Sequence, residues 1–247
     1  MKASPLRCLV ATLLILPISA QSCVDSWLQR QEYTMTSDAL DKNDSLIYRE
    51  SLQHLAGTDG GVLEVRYTRP NGGLLASKTV EYDCRPTTPS YRMSDADGRI
   101  LEAVTLNGSE LTAQSGESTD VQPIPQGPSI VDAGFDNTIK LHWDELTQGE
   151  KLEFNYFFAR EGRFVELRFA LDDSPPERLR VDGEDLVHFR ITPSNPFLRI
   201  FAKPLNVSYR RGNRELRYYY GPTNLPMMRD VGRVLIRYST SNPIQQG

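Results

Sequence analysis

The chain has 247 residues, of which 39 % are hydrophobic and 24 % charged, and its formal net charge is −4. That length and balance suit one large β-rich domain or two small ones and exclude wholesale disorder. The acidic balance also argues against nonspecific binding to DNA or to an anionic membrane surface, so no nucleic-acid partner is expected.

Lys2 and Arg7 flank the start of an apolar run from Cys8 to Leu16 that is too short to cross a bilayer. Pro17 breaks it, and Ile18-Ser19-Ala20 offers small residues at a cleavage edge. Residues 1–20 therefore read as a Sec-type signal peptide, which sends a bacterial protein to the periplasm or outside the cell. No other stretch reads as a transmembrane span. Cys8 leaves with the signal, so Cys23 and Cys84 become a pair in an oxidising compartment, and a disulfide is the natural reading. It would close a loop of about 60 residues and contribute ~3–4 kcal/mol by the chain-entropy model. Cys23 also follows the apolar run as a lipoprotein cysteine does, but Gln21 fits a lipobox badly, and the disulfide is favoured. Two thiols and three scattered histidines (His54, His142, His188) do not suggest a metal site, and no cofactor is expected.

Residues 21–115 read as an N-terminal β meander. Leu63, Val65 and Tyr67 alternate with Glu64, Arg66 and Thr68, and Lys78, Val80 and Tyr82 return after a Pro70-Asn71-Gly72-Gly73 turn. Asp97-Gly98 and Asn107-Gly108 mark two further turns around the strand Ile100–Leu106. Residues 116–130, with Pro123, Pro125 and Pro128, read as a linker or long loop. One helix is predicted next, with Asp136 as N-cap, Gly149 as its stop, and Ile139, Trp143 and Leu146 on one face. Residues 131–247 thus combine this helix with an antiparallel sheet, continuous with the N-terminal part. Its strands centre on Phe154–Phe158, Val165–Leu171, Val187–Ile191, Leu205–Tyr209, Leu216–Tyr220 and Val234–Tyr238, with a short helix from Pro196 to Ala202. The expected fold is mostly antiparallel β, a curved sheet, half-barrel or barrel-like, of about ten to twelve strands with one main helix packed against it.

No nucleophile elbow, phosphate loop or metal-spaced histidine pair is present. Asp95-Ala96-Asp97-Gly98 lacks the ligand count of a calcium loop and reads as a turn. Phe154, Tyr156, Phe157 and Phe158 make both faces of one strand partly apolar, which calls for either a covering layer or a cavity that accepts an apolar ligand.

Gly134-Phe135-Asp136, Trp143-Asp144-Glu145-Leu146, Gly149-Glu150 and the aromatic strand after them resemble an uncharacterised family of secreted bacterial proteins. Leu216-Arg217-Tyr218-Tyr219-Tyr220-Gly221 and Asn224 are similar to it as well. The resemblance implies an exported β-rich protein and supplies no catalytic residue. At the level of architecture alone, a curved sheet with a helix on its face is also similar to periplasmic lipoprotein-carrier half-barrels.

These readings point to an exported, non-enzymatic protein of the cell envelope that binds an apolar or lipid-like ligand, or an envelope protein partner. Phe135, Trp143, Phe154, Tyr156 and Phe158 are the candidate lining, each of which plain core packing would also explain. Two alternatives stand beside this: an envelope hydrolase with a carboxylate site assembled in space, and a structural interaction module without a cavity.

Overall fold

The computed structural model of the chain describes residues 32–57, 60–201, 203–240 and 242–243; the predicted signal segment and Cys23 lie outside them. Eight strands form a first meander: β1 (Tyr33–Leu40), β2 (Leu46–Gly57), β3 (Gly60–Thr68), β4 (Leu74–Glu81), β5 (Ser90–Asp95), β6 (Ile100–Asn107), β7 (Glu110–Ser115) and β8 (Ser118–Pro123). A short strand, β9 (Ser129–Val131), leads into helices α1 (Gly134–Leu141) and α2 (Trp143–Thr147). The second meander follows as β10 (Leu152–Phe158), β11 (Arg163–Leu171), β12 (Leu186–Pro193), α3 (Pro196–Phe201), β13 (Leu205–Arg210), β14 (Leu216–Pro222), β15 (Arg233–Tyr238) and β16 (Asn242–Pro243).

All 16 strands among the described residues belong to one open sheet, ordered β8 to β1 and then β15 back to β9, with β16 paired to β1 beside this path. Antiparallel pairing of β1 with β15 (Ser37 opposite Tyr238, Leu40 opposite Leu235) joins the two meanders. Only β9 runs parallel to its neighbour, with Tyr156 opposite Ile130. The sheet curls until its edges meet through side chains. Leu111 and Ala113 of β7 share one buried cluster with Val131 of β9 and Phe157 of β10, and a Cβ on Gly162 in the β10–β11 turn would lie 2.7 Å from the Asp120 carboxylate of β8. Among the described residues no ladder closes this seam, so the sheet is barrel-like and open.

Two expectations need correction. The sheet has 16 strands, more than the ten to twelve predicted, partly because residues 116–130, expected as a linker or long loop, hold β8 and most of β9. Gly116, at φ 59°, supplies the two-residue turn between Ser115 and Ser118. β8 is an edge strand exposed along nearly its whole length, so it carries no apolar alternation to reveal it. The one main helix is two, broken at His142 (φ −104°, ψ 28°). Ile139, Trp143 and Leu146 still share a buried cluster across the break. Asp136 sits inside the first turn of α1 and does not cap it.

Outside the barrel, the long β11–β12 connection crosses the sheet like a strap. Its Leu179 is fully buried with Leu40, Tyr218 and Leu235, and Arg178 donates to the Asp41 carbonyl (2.8 Å) and to Asp44. Among the described residues no helix is long and apolar enough to cross a membrane, a statement that does not extend to strands.

Candidate functional site

Period-two alternation sends one face of every strand inward, and cross-strand register aligns those residues in rows. One row runs Tyr33–His54–Leu63–Val80–Tyr91, the next Met35–Leu52–Val65–Lys78–Met93–Glu102, and the third Ser37–Glu50–Tyr67. The second meander contributes Leu167, Phe169, Ile191, Leu205, Tyr219 and Ile236 to the opposite wall. Between them lies a cavity of about 1340 Å³, larger than the ~300–1,000 Å³ of ordinary small-molecule pockets.

Helices α1 and α2 sit on the inner face of the second meander and plug part of the barrel. Ile139, Trp143 and Leu146 pack onto Phe154, Phe169, Phe189 and Tyr209, with the Trp143 ring edge-on to Phe189 at 5.6 Å and to Tyr209 at 5.9 Å. The other side of α1 presents Phe135, Asp136, Asn137 and Lys140 to the cavity. The plug is tied to the β4–β5 loop. Asn137 Nδ2 donates to the Pro86 carbonyl (2.9 Å), Val131 N donates to the Thr87 carbonyl (2.9 Å), and Gly134 lies so close to Thr87 that a Cβ would fall 2.0 Å from its carbonyl oxygen. Cys84 belongs to the same loop.

The five predicted lining residues therefore divide. Phe135, Tyr156 and Phe158 line the cavity, whereas Trp143 and Phe154 are buried in the core between plug and wall. Phe157, on the opposite face of β10, is buried in the cluster at the seam and also reaches the cavity. The two-sided apolarity of this strand thus reflects a covering layer and a cavity together.

Sequence reasoning missed the polar part of the wall. Lys78, only 6 % exposed, donates to both carboxylate oxygens of Asp132 at 2.8 Å and lies over the Tyr91 ring at 5.2 Å. Asp132 holds a left-handed backbone (φ 44°) just ahead of α1, so this ion pair fastens the plug to β4. Glu50, 2 % exposed, accepts from Ser37 Oγ (2.7 Å) and Asn224 Nδ2 (3.2 Å). Glu102 accepts from the Tyr91 hydroxyl (3.3 Å) and stands 3.7 Å from the Arg229 guanidinium. Burial pushes the Glu50 and Glu102 carboxyls above the ordinary glutamate range, outweighing the Lys78 amine and the hydrogen bonds that favour their charged forms. Burial likewise raises the phenols of Tyr67, Tyr91 and Tyr156, and the surrounding carboxylates add to the effect, so these are neutral hydrogen-bonding groups. The signal was readable: Glu50 shares its strand parity with Tyr48 and Leu52, and Lys78 with Val80 and Tyr82. A charge on an inward register is unusual and marks a site. Among the described residues no group of three His, Cys, Asp or Glu side chains is placed to hold a metal.

No family model and no curated protein matches the sequence. Among solved structures, the chain is similar to a β-barrel-like protein of a domain of unknown function, DUF1849, from Brucella abortus. The TM-score is 0.51 at 10 % identity, over 88 % of this chain and 99 % of that one. At that identity the likeness speaks for the fold alone, a β-barrel-like one.

Proposed function

We propose that this is an exported protein of the bacterial cell envelope that encloses an apolar or lipid-like ligand inside its curled sheet, without catalysing a reaction. The observation that carries the reading is the 1340 Å³ interior walled by aliphatic and aromatic side chains. An acyl chain buried there gains roughly 25 cal/mol per Å² of apolar surface before ordering costs. For export, the support is the N-terminal apolar segment with its small-residue edge at Ala20. The proposed Cys23–Cys84 bridge is supported by Cys84 being disulfide-bonded. Such a bridge would anchor the N-terminal segment to the loop that also holds the plug.

Native mass spectrometry of protein purified from the periplasm without detergent tests the reading, followed by solvent extraction. The expected result is a reproducible adduct that extracts as lipid and a two-hydrogen deficit from the disulfide. A bare protein mass that stays bare after incubation with envelope lipid extract would overturn ligand enclosure.

The carboxylates in the cavity favour a second reading, a hydrolase. Their present engagements weigh against it. Asp132 is held at both oxygens by Lys78, and each Glu50 oxygen already accepts a hydrogen bond. Asp136 is likewise held by Lys140 and Tyr209, and Glu215 by Asn213, so the freer acids of the lining are Glu102, Glu32 and the exposed Glu161. Turnover of ester or glycoside substrates that disappears in Glu102→Gln would reverse this ranking.

A further inference from the structure

The cavity lining carries both acids and bases, and one patch of it, around Glu50, Tyr67 and Glu102, gathers acceptors. We propose that the enclosed ligand is an amphiphile with an amine head group, received at a pole formed by Glu50, Tyr67 and Glu102; the inference rests on the ligand-binding reading above. The amine buried in this wall, Lys78, is already neutralised by both oxygens of Asp132. Glu50 faces the same cavity with two neutral donors and, among the described residues, no cation within ion-pairing distance. Tyr67, directly opposite Glu50 on β3 and 2 % exposed, lines the cavity, and its hydroxyl makes no hydrogen bond to a described residue. The side chain is buried but its hydroxyl reaches the cavity, where a ligand group can bond to it. Glu102 adds a third acceptor, only loosely paired with Arg229.

An ammonium head brings three donors and a positive charge to this set of acceptors, forming charge-assisted bonds in a low-dielectric interior. A carboxylate or phosphate head at this pole would meet two carboxyl groups, a lysine already paired with Asp132 and a guanidinium already beside Glu102, so its desolvation would be poorly compensated. The apolar chain would then lie along Leu52, Val65 and the aromatic wall.

The test displaces a neutral apolar fluorophore, N-phenyl-1-naphthylamine, from the purified full chain with three probes of equal chain length: dodecylamine, dodecanol and dodecanoate. Dodecylamine should bind about tenfold or more tighter than dodecanoate, a margin on the scale of one hydrogen bond to a charged group. Glu50→Gln and Tyr67→Phe should each shrink that margin severalfold while dodecanol affinity stays constant, which separates loss of the pole from loss of the fold. Equal or tighter binding of dodecanoate would overturn the amine assignment and leave ligand enclosure standing. Failure of all three probes to displace the dye would bring down both.

Discussion

Lys78 and Asp132 form an ion pair whose two halves come from β4 and from the turn ahead of α1, and both are largely withdrawn from water. Removing one half strands the other charge, a loss of about 3–5 kcal/mol for buried pairs, whereas removing both can approach neutrality. Lys78→Met should therefore destabilise strongly, and adding Asp132→Asn should recover most of the loss; Asn also tolerates the left-handed backbone at that position. Denaturant unfolding of the two singles and the double checks this, and additive losses would refute the coupling. Glu50 behaves oppositely because it is a buried acid without a cation partner. Lys78 and Asp132 act on it from β4 and the plug, and the phenols of Tyr48, Tyr67, Tyr219 and Tyr238 surround it from β2, β3, β14 and β15. Its carboxyl titrates higher folded than unfolded, so folding favours the protonated form. The penalty is absent below the unfolded carboxylate range, grows as pH rises towards the folded value, and is constant above it. Glu50→Gln should thus raise the melting temperature at pH 7, with the gain fading as pH falls to about 4. A variant less stable than the parent at pH 7 would contradict this.

At the scale of elements, the division of the aromatic residues makes a sharp prediction. Trp143 fills the space between plug and wall and is held edge-on by two rings, with the Arg214 guanidinium 5.5 Å from its ring centre. Trp143→Ala should cost about 3–5 kcal/mol. Phe158 faces the cavity, so its truncation enlarges an existing space instead of opening a new one, and Phe158→Ala should cost clearly less. Calorimetry on both variants tests the order; an equal loss would mean that the plug does not separate core from cavity. Strands with clean alternation, such as β3 and β11, were legible from sequence because one face is apolar, and β10 was legible through its run of aromatic residues. β1 was not, since Ser37 interrupts its inward positions after Tyr33 and Met35, and β9 is only three residues long. The helix was legible through its apolar stripe, but the break at His142 was not, because Ile139, Trp143 and Leu146 keep one stripe across it. Half of the site could be read in the same way. Phe135, Tyr156 and Phe158 were found as aromatic residues, while Glu50, Tyr67, Lys78 and Glu102 required knowing which parity faces inward and that distant strands converge.

For the whole molecule, the first and last long strands of the described chain, β1 and β15, meet in the middle of the sheet, and the two free edges meet at the seam. Backbone bonds guard the centre on both sides, whereas β8 pairs only with β7. Amide exchange should accordingly be slowest in β1, β2 and β15 and fastest in β8, by a margin that mass-resolved hydrogen exchange can read strand by strand. Uniform protection across the sheet would show that the seam is as tight as a ladder.

In a barrel welded by a complete ladder, strand number and shear set the girth once and for all. Here no ladder among the described residues fixes the girth: side chains along the seam and the single backbone bond from Val131 to Thr87 fasten the hoop. Under the proposed function, such a clasp would let the interior take guests of different thickness around the same polar pole.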